Sequence, residues 1–161
     1  MKPYPMLFGV AALVLSLTGA APPSSTPRTT SGACNLVTRA EAAAALGAPV
    51  PAGSEKPMDF PLEGGVIKME VCFYGSEVHI ARYALGSGAP ALFARYRQSL
   101  AAQDGYQNVN GVGDEAFAAK GQLYVRKGQV GVNIDVGQAR GGGAKELQAE
   151  KRLAALAVSR L

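Results

Sequence analysis

The chain has no tryptophan, a single histidine and two cysteines, and only 17% of its 161 residues are charged. Cys34, Cys72 and His79 are too few soft ligands to close a tetrahedral zinc site, so no metal is expected. The two cysteines are not in a C-x-x-C arrangement, which disfavours dithiol redox chemistry. The 16 basic residues outnumber the 12 acidic ones for a formal charge of +4, but they are scattered along the chain. A nucleic-acid groove would show a basic stripe with aromatic residues between the charges, and no such stripe is present.

The sustained apolar run from Met6 to Leu17 falls short of the roughly 20 residues that a spanning helix needs. It follows Lys2 and leads into Thr18-Gly19-Ala20, the order of charged, apolar and small residues that marks a secretory signal peptide. Residues 1–20 are therefore expected to be removed on export, with no stable membrane span afterwards; a retained anchor is the alternative. Ser31-Gly32-Ala33-Cys34 has the small residues that precede a lipidated cysteine, but a Pro/Ser/Thr-rich stretch separates it from the apolar run. Residues 21–32 cannot bury apolar surface and read as a flexible leader. Residues 33–161 then make a single domain with a modest core. In a periplasmic or extracellular setting, an even cysteine count reads as a structural disulfide, Cys34 to Cys72.

Thr38 and Glu41 have the T-x-x-E form of a capping box, and Gly47 after Leu46 supplies a left-handed stop, so a short helix is expected between them. Residues 48–65 hold four prolines and several glycines, which predicts an irregular loop. From Val66 the period changes to two, and Gly75-Ser76 reads as a two-residue hairpin turn. That turn sets Phe73 opposite Val78 and Val71 opposite Ile80 on one apolar face, with Cys72 opposite His79 on the other. A second helix is expected from the Ser87-Gly88-Ala89-Pro90 start, with Leu92, Phe93, Tyr96 and Leu100 as its core stripe and Arg95 and Gln98 turned away. Strands follow at 115–119, 122–126 and 129–136, with Lys120-Gly121 and Lys127-Gly128 as turns. Leu123 and Val125 then face Val132 and Val130, and Phe117, Tyr124 and Gly131 line the opposite face. Gly141-Gly142-Gly143 precedes a last helix, 144–161, whose late Arg160 suits the helix dipole. The expected fold is α+β: an antiparallel sheet of about five to six strands, flanked by three helices and stapled by one disulfide.

Gly111, Gly113 and Ala116 have the G-x-G-x-x-A spacing of a dinucleotide loop. Such a loop needs an apolar strand before it and a helix after it, whereas a strand pattern follows here and Asp114 and Glu115 would repel a pyrophosphate. No cofactor is expected, and the stretch reads as a solvent-facing turn. Asp114 and Glu115 are adjacent, so as strand residues they point to opposite faces and make poor partners for acid-base chemistry. No serine carries a nucleophile signature, and catalytic residues are not assigned.

Cys34-Asn35-Leu36-Val37-Thr38-Arg39-Ala40-Glu41 with Leu46-Gly47, then Val71-Cys72-Phe73-Tyr74, then Gly111-Val112-Gly113-Asp114-Glu115-Ala116-Phe117, resemble the recurring pattern of small secreted or lipid-anchored bacterial envelope proteins of unknown function. The resemblance implies an α+β fold with a disulfide and carries no catalytic site. It departs at the anchor, because many relatives have a lipidated cysteine at the cleavage site. The reading is an exported, non-catalytic binding or accessory protein whose partner is an envelope protein or a small ligand. The candidate contact surfaces are the 48–65 loop and the sheet face around His79, Tyr83, Phe117 and Tyr124. The alternatives are a small envelope hydrolase using His79 with a nearby carboxylate, and a structural envelope protein without a small-molecule ligand.

Overall fold

Thr38 opens the first helix as its spacing with Glu41 requires. In the computed structural model, which describes residues 32–62, 65–137 and 143–161, the Thr38 hydroxyl accepts from the Glu41 amide at 3.3 Å. The Glu41 carboxylate in return accepts from the Thr38 amide at 2.7 Å. Helix α1 (Arg39–Leu46) ends on Gly47 in the left-handed conformation. The expected signal peptide, all of the expected 21–32 leader but Gly32, and all of the Gly141-Gly142-Gly143 break but Gly143 lie outside the described residues.

Among the described residues, seven strands form one antiparallel sheet: β1 (Ser54–Leu62), β2 (Gly65–Tyr74), β3 (Val78–Ala84), β4 (Gln107–Val109), β5 (Glu115–Ala119), β6 (Gln122–Lys127) and β7 (Val130–Asp135). Their order is β1-β2-β3-β7-β6-β5-β4. Helix α2 (Ala89–Leu100) carries the chain from β3 to the far edge strand β4, and α3 (Ala144–Val158) follows β7. The α+β architecture with three helices and one disulfide is as expected, with one strand more than the upper expectation.

The additional strand is β1, inside the stretch read as a loop. Pro57 stands opposite Glu70 and Pro61 opposite Val66. Proline cannot donate to a ladder, but β1 is an edge strand, with no second neighbour among the described residues for the missing amides to serve. The same prolines blunt the edge against pairing with another chain.

The first hairpin differs from the expected register by one residue. Tyr74 pairs with Val78, Phe73 with His79 and Cys72 with Ile80, around a loop of three residues that starts at Gly75. A slip of one flips every side chain. Cys72 and Tyr74 therefore share a face with Val78 and Ile80, while Val71 and Phe73 lie with His79, Ala81 and Tyr83. The disulfide and the Tyr74 hydroxyl, which donates to the Val37 carbonyl, both act on the first of these faces. The β6–β7 turn slips as well, placing Val125 opposite Val132 and Leu123 opposite Ile134. That slip is by two, so the expected faces survive.

Each face of the sheet has its own cover. The face carrying Ile80, Leu123, Val125, Val132 and Ile134 is buried under α1, α3 and a single 3-10 turn, Ala33–Asn35. Cys34 in that turn is bonded to Cys72 on β2, and the Cys34 amide donates to Glu55 of β1 at 3.0 Å. Arg160, just beyond α3, donates to both Glu41 oxygens at 2.5 and 2.8 Å and to the Leu36 carbonyl at 2.6 Å. These bonds hold the Glu41 carboxyl well below the ordinary carboxylate range, at about 2. Arg160 is thus a clasp between the two ends of the domain, a role that a dipole argument alone does not reveal. The other face is covered by α2, whose Phe93 sits 5.3 Å from the Phe117 ring. Phe117 in turn stacks on Tyr124 at 4.9 Å.

Candidate functional site

Helix α2 covers only part of its sheet face. Its stripe falls as the spacing predicts, with Phe93 buried, Leu92, Tyr96 and Leu100 half-buried, and Arg95 and Gln98 exposed. Beside it the long β1–β2 hairpin rises past the helix, and a cavity of about 130 Å³ remains between them. Leu92, Phe93 and Tyr96 form its roof, and Ile67, Met69 and Ala81 form much of its floor. Phe60 closes one side, with its ring in edge contact with Tyr96 at 6.3 Å. Phe60 is also 38% exposed, and Met58, opposite Met69 on the same face of the hairpin, is exposed too, so the rim is apolar.

One end of the cavity is polar. Tyr83, Gln122, Tyr124 and Asn133 line it there. Gln122 Oε1 accepts from the Tyr124 hydroxyl at 2.8 Å and from Asn133 Nδ2 at 3.2 Å. Gln122 Nε2 donates to Asp135 at 3.0 Å. The Tyr83 hydroxyl is buried without a hydrogen-bond partner among the described residues, an arrangement that costs about 1–3 kcal/mol in protein interiors. Burial, and then the nearby Tyr96, push the Tyr83 phenol far above its ordinary range. Burial also raises Tyr124 strongly and Tyr96 to a lesser degree, so all three phenols are neutral donors across physiological pH.

The four candidate contact residues are separated by this arrangement. Tyr83 and Tyr124 line the cavity, whereas Phe117 is buried behind Tyr124 and supports it. His79 lies elsewhere on the sheet, against the Phe73 ring at 4.8 Å, with Nδ1 3.9 Å from Asp135 and beyond hydrogen-bond distance. Asp135 instead accepts from Gln122 and from the Gly137 amide at 2.8 Å. The expected 48–65 loop enters the site through β1, by way of Phe60. Sequence patterns had no means of finding Ile67 and Met69 as cavity residues, because period-two alternation shows which face they share but not how far α2 reaches over it.

The glycine stretch is a turn, and the strand β5 follows it. Gly111 and Gly113 both have positive φ, at 80° and 63°. Asp114 and Glu115, expected to be solvated and poor partners, instead converge on Arg126. Arg126 is only 8% exposed and donates to Asp114 at 3.1 Å and to Glu115 at 2.8 Å. The Asp114 carboxylate also accepts from the Gly128 amide at 2.7 Å, and this bond, with that from Lys127, holds its pKa down. Asp114 thereby fixes the β6–β7 turn. Neighbouring residues reach one partner here because Asp114 precedes the strand and only Glu115 obeys its alternation.

Glu150 of α3 is a buried carboxyl on the opposite face of the sheet. It is 2% exposed, and its Oε1 has no hydrogen-bond partner among the described residues. Burial, and then repulsion from Asp135, push it up to about 8, against which a bond from the Val136 amide acts. Its folded pKa exceeds its unfolded value, so the folded state holds the proton that the unfolded chain loses. Stability should therefore fall as pH rises from about 4.5 to about 8, at up to roughly 1.4 kcal/mol per pH unit. Glu150→Gln is expected to stabilise the domain by about 1–3 kcal/mol at pH 8 and by little at pH 4. Urea unfolding at both pH values checks this, and an equal effect at the two would contradict it.

Among the described residues no group of three or more His, Cys, Asp or Glu side chains is placed to hold a metal ion, and no helix is long and apolar enough to cross a membrane. Comparison with protein families, with curated proteins and with solved structures finds no match to this chain.

Proposed function

We propose that the chain is an exported, non-catalytic binding protein of the bacterial cell envelope, and that its ligand is a small, mainly apolar molecule held between α2 and the sheet. The cavity carries this reading: apolar walls with a few convergent polar groups at one end are the usual composition of a small-molecule site. The signal-like first 20 residues, the disulfide and the resemblance to small envelope proteins support the location. The ordering of the polar end supports binding over catalysis. Its hydrogen bonds run from Tyr124 to Gln122 to Asp135, and they join neutral groups to a carboxylate already occupied.

Ala81 tests the reading, because it lies on the cavity floor and is buried. A phenylalanine there would fill the space, at an overpacking cost of about 1–3 kcal/mol. Octane and 2-octanone titrated into the wild-type domain are expected to give saturable NMR shifts at Ile67, Met69 and Leu92. The Ala81→Phe variant, folded by circular dichroism, is expected to give none. Wild-type protein that shows no saturable shift with either probe would overturn the reading.

A further inference from the structure

We infer that the ligand is a neutral apolar molecule bearing one carbonyl, and that the Tyr83 hydroxyl selects it by donating a hydrogen bond to that oxygen. The inference rests on the cavity being a binding site and assigns its ligand class.

The geometry of Tyr83 supports it first. Its ring lies directly over Gly131, its partner across the β3–β7 pairing, where a Cβ would come within 2.1 Å of Tyr83 Cε2. Only glycine at that place lets the ring lie flat on the sheet. The ring therefore packs directly on backbone, and its hydroxyl is buried beside Tyr96 and Tyr124 with no partner among the described residues.

The bonding of its neighbours sets the polarity of the ligand atom. Gln122 Oε1, an acceptor at this end, already takes bonds from both Tyr124 and Asn133. Among the fully buried side-chain atoms of this end, the one without a partner among the described residues is the Tyr83 hydroxyl, and a phenol is a donor to any oxygen with a lone pair. Among the described residues lining the cavity none is charged, so a carboxylate would be buried there without a counter-ion. Asp135 behind Gln122 adds further repulsion. A carbonyl on an apolar body meets these conditions, whether it belongs to a ketone or to an acyl ester.

The test compares octane, 2-octanone, methyl octanoate and octanoate by calorimetry on the wild-type domain and on Tyr83→Phe. The wild type is expected to bind the ketone, the ester or both about tenfold more tightly than octane, with octanoate weakest, and Tyr83→Phe to lose the preference over octane. Selection of the ketone alone or the ester alone identifies the source of the carbonyl. A readout that needs no variant is the infrared carbonyl stretch of bound 2-octanone, expected below its frequency in hexane. Equal binding of octane and the two carbonyl probes, a preference that survives Tyr83→Phe, or an unshifted stretch would overturn the inference and leave the binding site standing. Binding of none of the four would remove both.

Discussion

Replacing Cys34 and Cys72 together by alanine is expected to cost the domain about 4 kcal/mol, the value that loop-closure entropy gives for a crosslink spanning 38 residues. A natural domain of this kind has a total stability of about 5–15 kcal/mol, so the variant should be close to its unfolding threshold at physiological temperature. The loss has a native-state component as well. The 3-10 turn that carries Cys34 covers β2 and β3, and a Cβ on Gly53 would come within 2.9 Å of Cys72 Sγ, so the backbone packs directly on the sulfurs. Without the bridge, Leu36 and Val37 keep their burial through side-chain contacts, the Tyr74–Val37 bond and the Arg160–Leu36 bond. Urea denaturation of oxidised wild type and the double variant measures the difference, and a change below about 1 kcal/mol would show that the bridge is dispensable.

Gly113→Ala should be almost as damaging, and Gly111→Ala provides its control. Both glycines have positive φ, which costs an alanine about 1–2 kcal/mol. At Gly111 nothing lies within 4 Å of an added Cβ, so the cost should stop there. At Gly113 the new atom would lie 2.5 Å from the Arg126 carbonyl oxygen and 2.5 Å from Val125 Cγ1. Relieving that clash has to move the Asp114 amide away from the same carbonyl, to which it donates at 2.8 Å, and with it the Arg126 ion pairs. The expected loss is about 2–5 kcal/mol for Gly113→Ala, against about 1–2 for Gly111→Ala. Equal losses in thermal or urea unfolding would mean that the close approach to β6 carries no weight.

What the sequence reveals here is local, and what it hides depends on distant contacts. Thr38, Glu41 and Gly47 mark α1 almost residue by residue, because a capping box and a left-handed stop act within a few positions. Lys120-Gly121 likewise marks the β5–β6 turn, where Ala119 pairs with Gln122. Gly75-Ser76 misleads, since the face on which Cys72 and Tyr74 lie is settled by Cys34 and Val37, far away in sequence. Pro57 and Pro61 conceal a strand because proline breaks a strand only where a neighbour needs the amide it lacks, and whether β1 has one neighbour or two is a property of the whole sheet. Tyr83 and Tyr124 stand out as aromatic residues on one face. The cavity they share is invisible in the sequence, because it is the gap left where α2 stops short of the β1–β2 hairpin.

The strand order also governs how the chain reaches this structure. Among the described strands, every neighbouring pair is joined by a short connection except β3 and β7, which meet with α2 and strands β4 to β6 between them in sequence. The molecule consists of two locally paired meanders closed along one seam, where Ile80 meets Ile134 and Arg82 meets Val132. Hairpins form in microseconds, whereas the seam must first overcome the entropy of closing a long loop, so seam formation is expected to limit the folding rate. The Cys34–Cys72 bridge lies wholly on one side of this closure and shortens none of it. Oxidation therefore protects the folded domain without shortening the search that β3 and β7 must make for each other.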